Sequence, residues 1–201
     1  LKVEGFPYIS QDTDVTVCAH AACWMLFRYF SERYPFYREI YPFEISQLTS
    51  DYSRGRLVPS TGLTLGQVAE IFTAQRFYPS TYVRERWADK FHRLLYYYIE
   101  SGLPVVAGLS KRKHAVTVLG HISDFSQVAN LNGPINSANL ITGFVLNDDN
   151  HLPYQGISVS PQLHPGGFQI DEIDSFVVPL PEKVHLFAQH IEDWTEEILT
   201  H

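Results

Sequence analysis

An α+β fold, a helical lobe packed on a mostly antiparallel β-sheet, follows from three features of the chain. Helical periodicity fills the first half, short β-rich runs separated by polar turns fill most of the second, and no period of about 20 to 50 residues repeats, which excludes solenoids and propellers. With 201 residues, 45% of them hydrophobic and 18% charged, the chain can bury a substantial core, so wholesale disorder is excluded.

The first helix is expected from Val17 to Tyr34, because Cys18, Ala22, Met25 and Tyr29 share one stripe. Ser10, Asp12, Thr13, Asp14 and Thr16 precede it as a polar loop able to satisfy the free N–H groups of its first turn. Pro35 and the aromatic-rich segment after it end that helix. Thr64 and Gln67 stand at capping-box spacing ahead of Leu65, Ala69 and Phe72, so a second helix spans Thr64 to Gln75. A third is read from Arg84 to Glu100 on the stripe Trp87, Phe91, Leu94 and Tyr98, with Gly102 as its stop.

Beyond Pro104 the pattern turns to strands: Pro104 to Leu109, His114 to His121, Ile141 to Leu146 and Phe176 to Leu180. The Asn- and Ser-rich stretch from Ser123 to Asn139 is a long excursion between two of them. Residues 182–201 read as an amphipathic helix with Val184, Phe187, Ile191, Trp194 and Ile198 on its apolar side, either docked or leading into a missing segment. The expected organisation is therefore one domain over 1–181 followed by this helix.

Fifteen Lys and Arg against 22 Asp and Glu leave a net charge of −7. That balance argues against a phosphate-neutralising surface, and so against nucleic acid as a partner. Apolar runs are strand-sized, which excludes a transmembrane span. No signal peptide is visible in Leu1 to Tyr8. The two cysteines, Cys18 and Cys23, fall in one helix, so no disulfide framework is expected, a pattern that slightly favours the cytoplasm.

A reactive thiol needs a helix N-terminus or a neighbouring imidazole to stabilise its thiolate. Cys18 opens its helix, whereas Cys23 lies five residues inside and reads as packing. The competing reading of Cys18 is a small buried hydrophobe. Among nine histidines His114 is the best base, because it begins a strand after a hairpin turn. His20 is placed on a polar helix flank, and His92, His185 and His190 on helix surfaces. No HExxH pair or Cys-rich surround occurs, so neither a metal nor a cofactor is expected. Asn147, Asp148 and Asp149, at the end of the strand expected beside that of His114, offer a group to orient the imidazole, although such a run is also ordinary turn sequence. Lys111, Arg112 and Lys113 read as a solvated hairpin tip, with attraction of an acidic peptide as the functional alternative.

Gln11, then Cys18 at a helix start, then Gly102-Leu103-Pro104-Val-Val-Ala-Gly, Lys113-His114-Ala-Val-Thr-Val-Leu-Gly-His and Phe144-Val-Leu-Asn-Asp occur in an order that resembles the papain-like cysteine peptidase superfamily. Within it the order is most similar to the branch of bacteriocin-processing double-glycine peptidases. The resemblance covers about Ser10 to Asp149. It implies a papain-like fold with Cys18 as nucleophile, His114 as general base and then acid, and Asp148 as orienting residue, with Asn147 or Asp149 as alternatives. Gln11 and the Cys18 N–H would hold the oxyanion. The implied reaction is hydrolysis of a peptide or isopeptide bond through a thioester, with a peptide or protein as substrate. A non-catalytic binding or regulatory module of the same fold, or a deamidase or transglutaminase, is the alternative. Ala19 follows Cys18 where the family carries Gly, which adds a methyl beside the expected path of the substrate.

Overall fold

The run of small and aromatic residues after Cys18 forms the central helix, α1 (Cys18–Arg33), whose first six residues are all buried. A helix apolar on every side must lie inside the molecule. The computed structural model describes residues 4–10, 18–48, 63–126, 128, 135–159, 169–184 and 186–200. Toward its end α1 becomes one-sided: Arg28 pairs with Glu32 one turn on and with Glu39 beyond the helix, each at 2.8 Å.

A short helix, α2 (Pro42–Leu48), forms where the sequence reading saw only the end of α1. Its start follows ordinary rules, with Pro42 at the first helical position and Glu44 accepting from the Tyr41 N–H at 3.0 Å. In α3 (Leu65–Ala74) the expected capping box is present in both directions between Thr64 and Gln67.

The helix expected over Arg84 to Glu100 is broken. A short α4 (Arg84–Trp87) and a 3₁₀ turn (Ala88–Lys90) precede α5 (Phe91–Glu100), and Ala88 takes a φ of 42°. The Arg84 guanidinium donates to the carbonyls of Ile170 and Ile173 at 2.7 to 3.0 Å, while Phe91 packs on Phe176 at 5.1 Å between centroids. At the far end, Leu103 N–H bonds Tyr98 O at 2.9 Å and Gly102 N–H bonds Ile99 O at 3.0 Å. Gly102 sits there at φ 73°, the paired-bond stop that favours glycine.

Six strands form one antiparallel sheet: β1 (Tyr78–Val83), β2 (Val105–Leu109), β3 (His114–Ser123), β4 (Ile141–Asn147), β5 (Gln155–Ser158) and β6 (Ser175–Leu180), in the order β1-β6-β2-β3-β4-β5. The edge strands β1 and β5 are additions to the four expected from sequence. Side chains alternate between sheet faces. Along β4, Phe144 lies near His92 of α5, and Asn147, three residues on, reaches Met25 of α1. The α1 and α5 helices therefore cover opposite faces, and β6, against which α3 packs, is buried along its whole length. On the α1 side, Phe27, Phe30, Phe72 and Phe77 form an aromatic cluster with ring centroids 4.9 to 6.0 Å apart.

The final helix is α6 (Ala188–Thr200). Ile191, Trp194 and Ile198, read as its apolar side, are 47, 53 and 75% exposed, and Ala188 and Glu192 are the buried residues. Glu192 pairs with Arg93 of α5 and accepts from Tyr97 at 2.9 Å. These polar bonds fix the rotation of α6 in place of its apolar stripe. No helix among the described residues is long and apolar enough to cross a membrane.

Candidate active site at the start of the central helix

Cys18 is the first residue of α1 and only 8% exposed. Its position places the sulfur near backbone N–H groups that have no partner within the helix. His114 is the first residue of β3 and is delivered by the β2–β3 hairpin, in which Lys113 takes the left-handed conformation at φ 52°. That hairpin is clamped from below. Asp174 accepts from Ser110 N–H at 2.9 Å, and Glu172 accepts two bonds from Arg112 at 2.7 and 2.9 Å. Lys111 and Lys113 are exposed on the same tip.

Asp148 directly follows β4. Its Oδ1 lies 3.0 Å from Nε2 of His114 and accepts from Asn150 N–H at 3.0 Å. Cys18 is close enough to His114 to contribute to the shift in its titration. With Nε2 engaged by Asp148, Nδ1 is the other ring nitrogen. The imidazole is thus bonded to a carboxylate 34 residues further along the chain.

Burial works against a charged His114, but the hydrogen bonds of Asp148 and Cys18, and then their charges, outweigh it and raise the group to about 10. Asp148 responds in the opposite sense. Burial alone would raise it, yet the His114 bond, the Asn150 N–H and the charges of His114 and His151 bring it down to about 2. His151 Nδ1 stands 3.1 Å from Asp148 Oδ2, close enough to act through charge although not aligned as a hydrogen bond.

The neighbours of Asp148 have other duties. Asn147 accepts from Tyr154 N–H at 2.8 Å and donates to Pro7 O at 3.3 Å, so its amide ties the loop to the N-terminal segment instead of reaching the ring. Asp149 is buried with its Oδ1 4.0 Å from His114 Nε2, beyond hydrogen-bond length, and neither oxygen has a well-formed partner among the described residues. Burial, with His114 opposing and Asp148 adding to it, pushes its carboxyl up to about 6. Ligand atoms of His114, Asp148 and Asp149 lie within 4.8 Å of one another, a set that could hold a metal ion. Two of the three are already spent on each other.

Gln11, His164 and His185 lie outside the described residues. Cys23 is fully buried, and its thiol is pushed up by burial and by Cys18. His20, expected on a polar flank, is instead 1% exposed and lowered to about 4 by burial. His92, expected on a helix surface, is half-buried against Arg84 at 2.9 Å. Sequence reasoning missed Tyr8, whose hydroxyl donates to His151 O and whose ionisation is pushed up by burial, Asp149 and Asp148. No spacing rule links residues so far apart; His151, three residues after Asp148, was within reach of one.

Comparison of the chain with protein families, with curated proteins and with solved structures finds no match.

Proposed function

We infer that this chain is a papain-like cysteine peptidase-type hydrolase that cleaves peptide or isopeptide bonds through a thioester acyl-enzyme. The reading is supported by one imidazole bonded to a buried carboxylate at 3.0 Å and acted on by the thiol that opens a buried helix. In this arrangement His114 accepts the Cys18 proton, and the resulting imidazolium is held by Asp148. The sulfur attacks the substrate carbonyl carbon, and the carbonyl electron pair moves onto oxygen. The Cys18 N–H and Gln11 are the donors assigned to that oxyanion.

Collapse of this adduct re-forms the carbonyl and breaks the C–N bond, with the leaving amine taking its proton from His114. Water then loses a proton to the now neutral imidazole and attacks the thioester. Expulsion of the Cys18 sulfur releases the acid and returns the proton to the pair. Asp148 keeps the ring in one orientation throughout, so both proton transfers share a single geometry.

The test is selective alkylation. Iodoacetamide followed by peptide mapping is expected to modify Cys18 at least about a hundredfold faster than Cys23 in the folded protein, because only the first has a base beside it. Equal rates, or no reaction before unfolding, would overturn the reading. Cys18→Ala is expected to keep the fold and abolish hydrolysis.

A further inference from the structure

Asp149 is 4% exposed, and neither of its carboxyl oxygens has a hydrogen-bond partner among the described residues. Buried polar atoms are rarely left unpaired, and a buried carboxylate without a counter-charge is costly. The side chain is turned toward the imidazole: Oδ1 stands 4.0 Å from His114 Nε2, the same atom that bonds Asp148 Oδ1 at 3.0 Å. One ring thus faces two carboxylates and, as a cation, balances only one of them.

The three donor atoms, a nitrogen of His114 and an oxygen each from Asp148 and Asp149, lie within 4.8 Å of one another. Bonds from Zn²⁺ to imidazole nitrogen and carboxylate oxygen are about 2.0 to 2.2 Å long, which sets the ligands of a tetrahedral ion roughly 3.4 Å apart. The separations of 3.0 and 4.0 Å straddle that value. Side-chain shifts of the order of 1 Å bring the set to ligand geometry. His151 Nδ1, 3.1 Å from Asp148 Oδ2, stands on the other oxygen, where an outer partner steadies a ligating carboxylate. The His114 side chain keeps 16% of its surface exposed, which gives an ion a way in.

We propose that His114, Asp148 and Asp149 form a binding site for a dication of the Zn²⁺ class, and that an ion held there switches the hydrolase off. The site stands on the geometry alone, whereas the switch rests on the hydrolase reading. The ion takes the place of the proton between Nε2 and Oδ1, and that proton leaves to solvent. A ring ligated through Nε2 carries its remaining proton on Nδ1 and has no lone pair left for the proton of Cys18. Two carboxylates balance the dication, which gives Asp149 the counter-charge it lacks. The donor set also selects the ion, since one nitrogen and two oxygens are too few for Ca²⁺, which takes about six to eight oxygens.

Titration calorimetry of the untagged whole chain with Zn²⁺ tests the site without substrate. One ion per chain is expected, with a Kd below about 10 μM, and Asp149→Asn is expected to weaken it by about thirtyfold or more. His114→Ala is expected to lose binding as well, and serves as the second ligand variant. Cys18→Ala is expected to bind as tightly as the parent. Co²⁺ in place of Zn²⁺ is expected to show visible bands without the sulfur-to-metal charge transfer that a thiolate ligand adds. In hydrolysis assays Zn²⁺ is expected to inhibit the parent near that Kd, reversibly by EDTA, and Asp149→Asn only at about thirtyfold higher concentration, while about 1 mM Ca²⁺ inhibits neither. No saturable Zn²⁺ binding up to about 1 mM, equal affinity in Asp149→Asn, or loss of binding in Cys18→Ala would overturn the site. Hydrolysis that continues with the ion bound would overturn the switch. Binding that depends on Asp149 in a chain with no hydrolytic activity would overturn the hydrolase reading and uphold the site.

Discussion

The start of β3 holds a part-buried imidazole and the first turn of α1 a buried one, and the two titrate in opposite directions. His20 has no hydrogen-bond partner for Nδ1 among the described residues, and burial lowers it to about 4. His114 is also withdrawn from water, yet it rises to about 10. What differs is company. A carboxylate at 3.0 Å contributes an attraction of order 5 kcal/mol at an effective dielectric of about 20, enough to exceed the cost of removing the ring from water. Burial sets the stakes for an ionisable group, and a correctly placed partner decides the sign.

The contrast is broken most directly at His114 itself. His114→Ala is expected to lower kcat/KM by about 10³-fold or more and to slow Cys18 alkylation, read by steady-state kinetics and peptide mapping. An unchanged alkylation rate would mean that the ring does not activate the sulfur. Asp148→Asn keeps the shape but removes the charge. The His114 titration, followed by NMR of the ring, is expected to fall from about 10 toward its ordinary value, with a loss of about 10²-fold in kcat.

Stability against pH sharpens the same contrast from both sides. His20 folds best neutral, so its contribution is intact above its ordinary 6.5 and is lost as pH falls toward about 4. His114 folds best charged, so its contribution is complete below 6.5 and is lost as pH rises through about 10. His20→Leu is expected to recover on the order of 2 kcal/mol of the acid loss near pH 4, measured by denaturant unfolding, and to leave alkaline unfolding unchanged. The smallest effect belongs to Asp149. Its carboxyl is pushed up to about 6, so its ionisation works against folding above that pH. Asp149→Asn is expected to raise Tm by about 2 to 4 °C at neutral pH and to change kcat less than about fivefold.

Legibility in the sequence followed the range of the interaction involved. The Thr64 capping box, the Gly102 stop and the four central strands were readable because their causes lie within a few residues of each other. So was α2 in principle, from Pro42 and Glu44, although the surrounding aromatics drew the reading toward a terminator. The break at Ala88 and the rotation of α6 were not readable. Arg84 bonds carbonyls of residues 170 and 173, and Glu192 bonds a helix nearly a hundred residues earlier. The β1 strand was missed because it owes its extended form to pairing with β6, from Tyr78 against Leu180 through to Val83 against Ser175.

The sequence by itself determined which residues have reactive side chains, and placed Cys18 at a helix start and His114 at a strand start, since caps, turns and periodicity are local. Only the tertiary structure decided which of Asn147, Asp148 and Asp149 bonds the ring, and which of His20 and His114 carries charge. Those outcomes depend on angstrom-scale distances and on exclusion of water, and both arise only when elements far apart in the chain pack together.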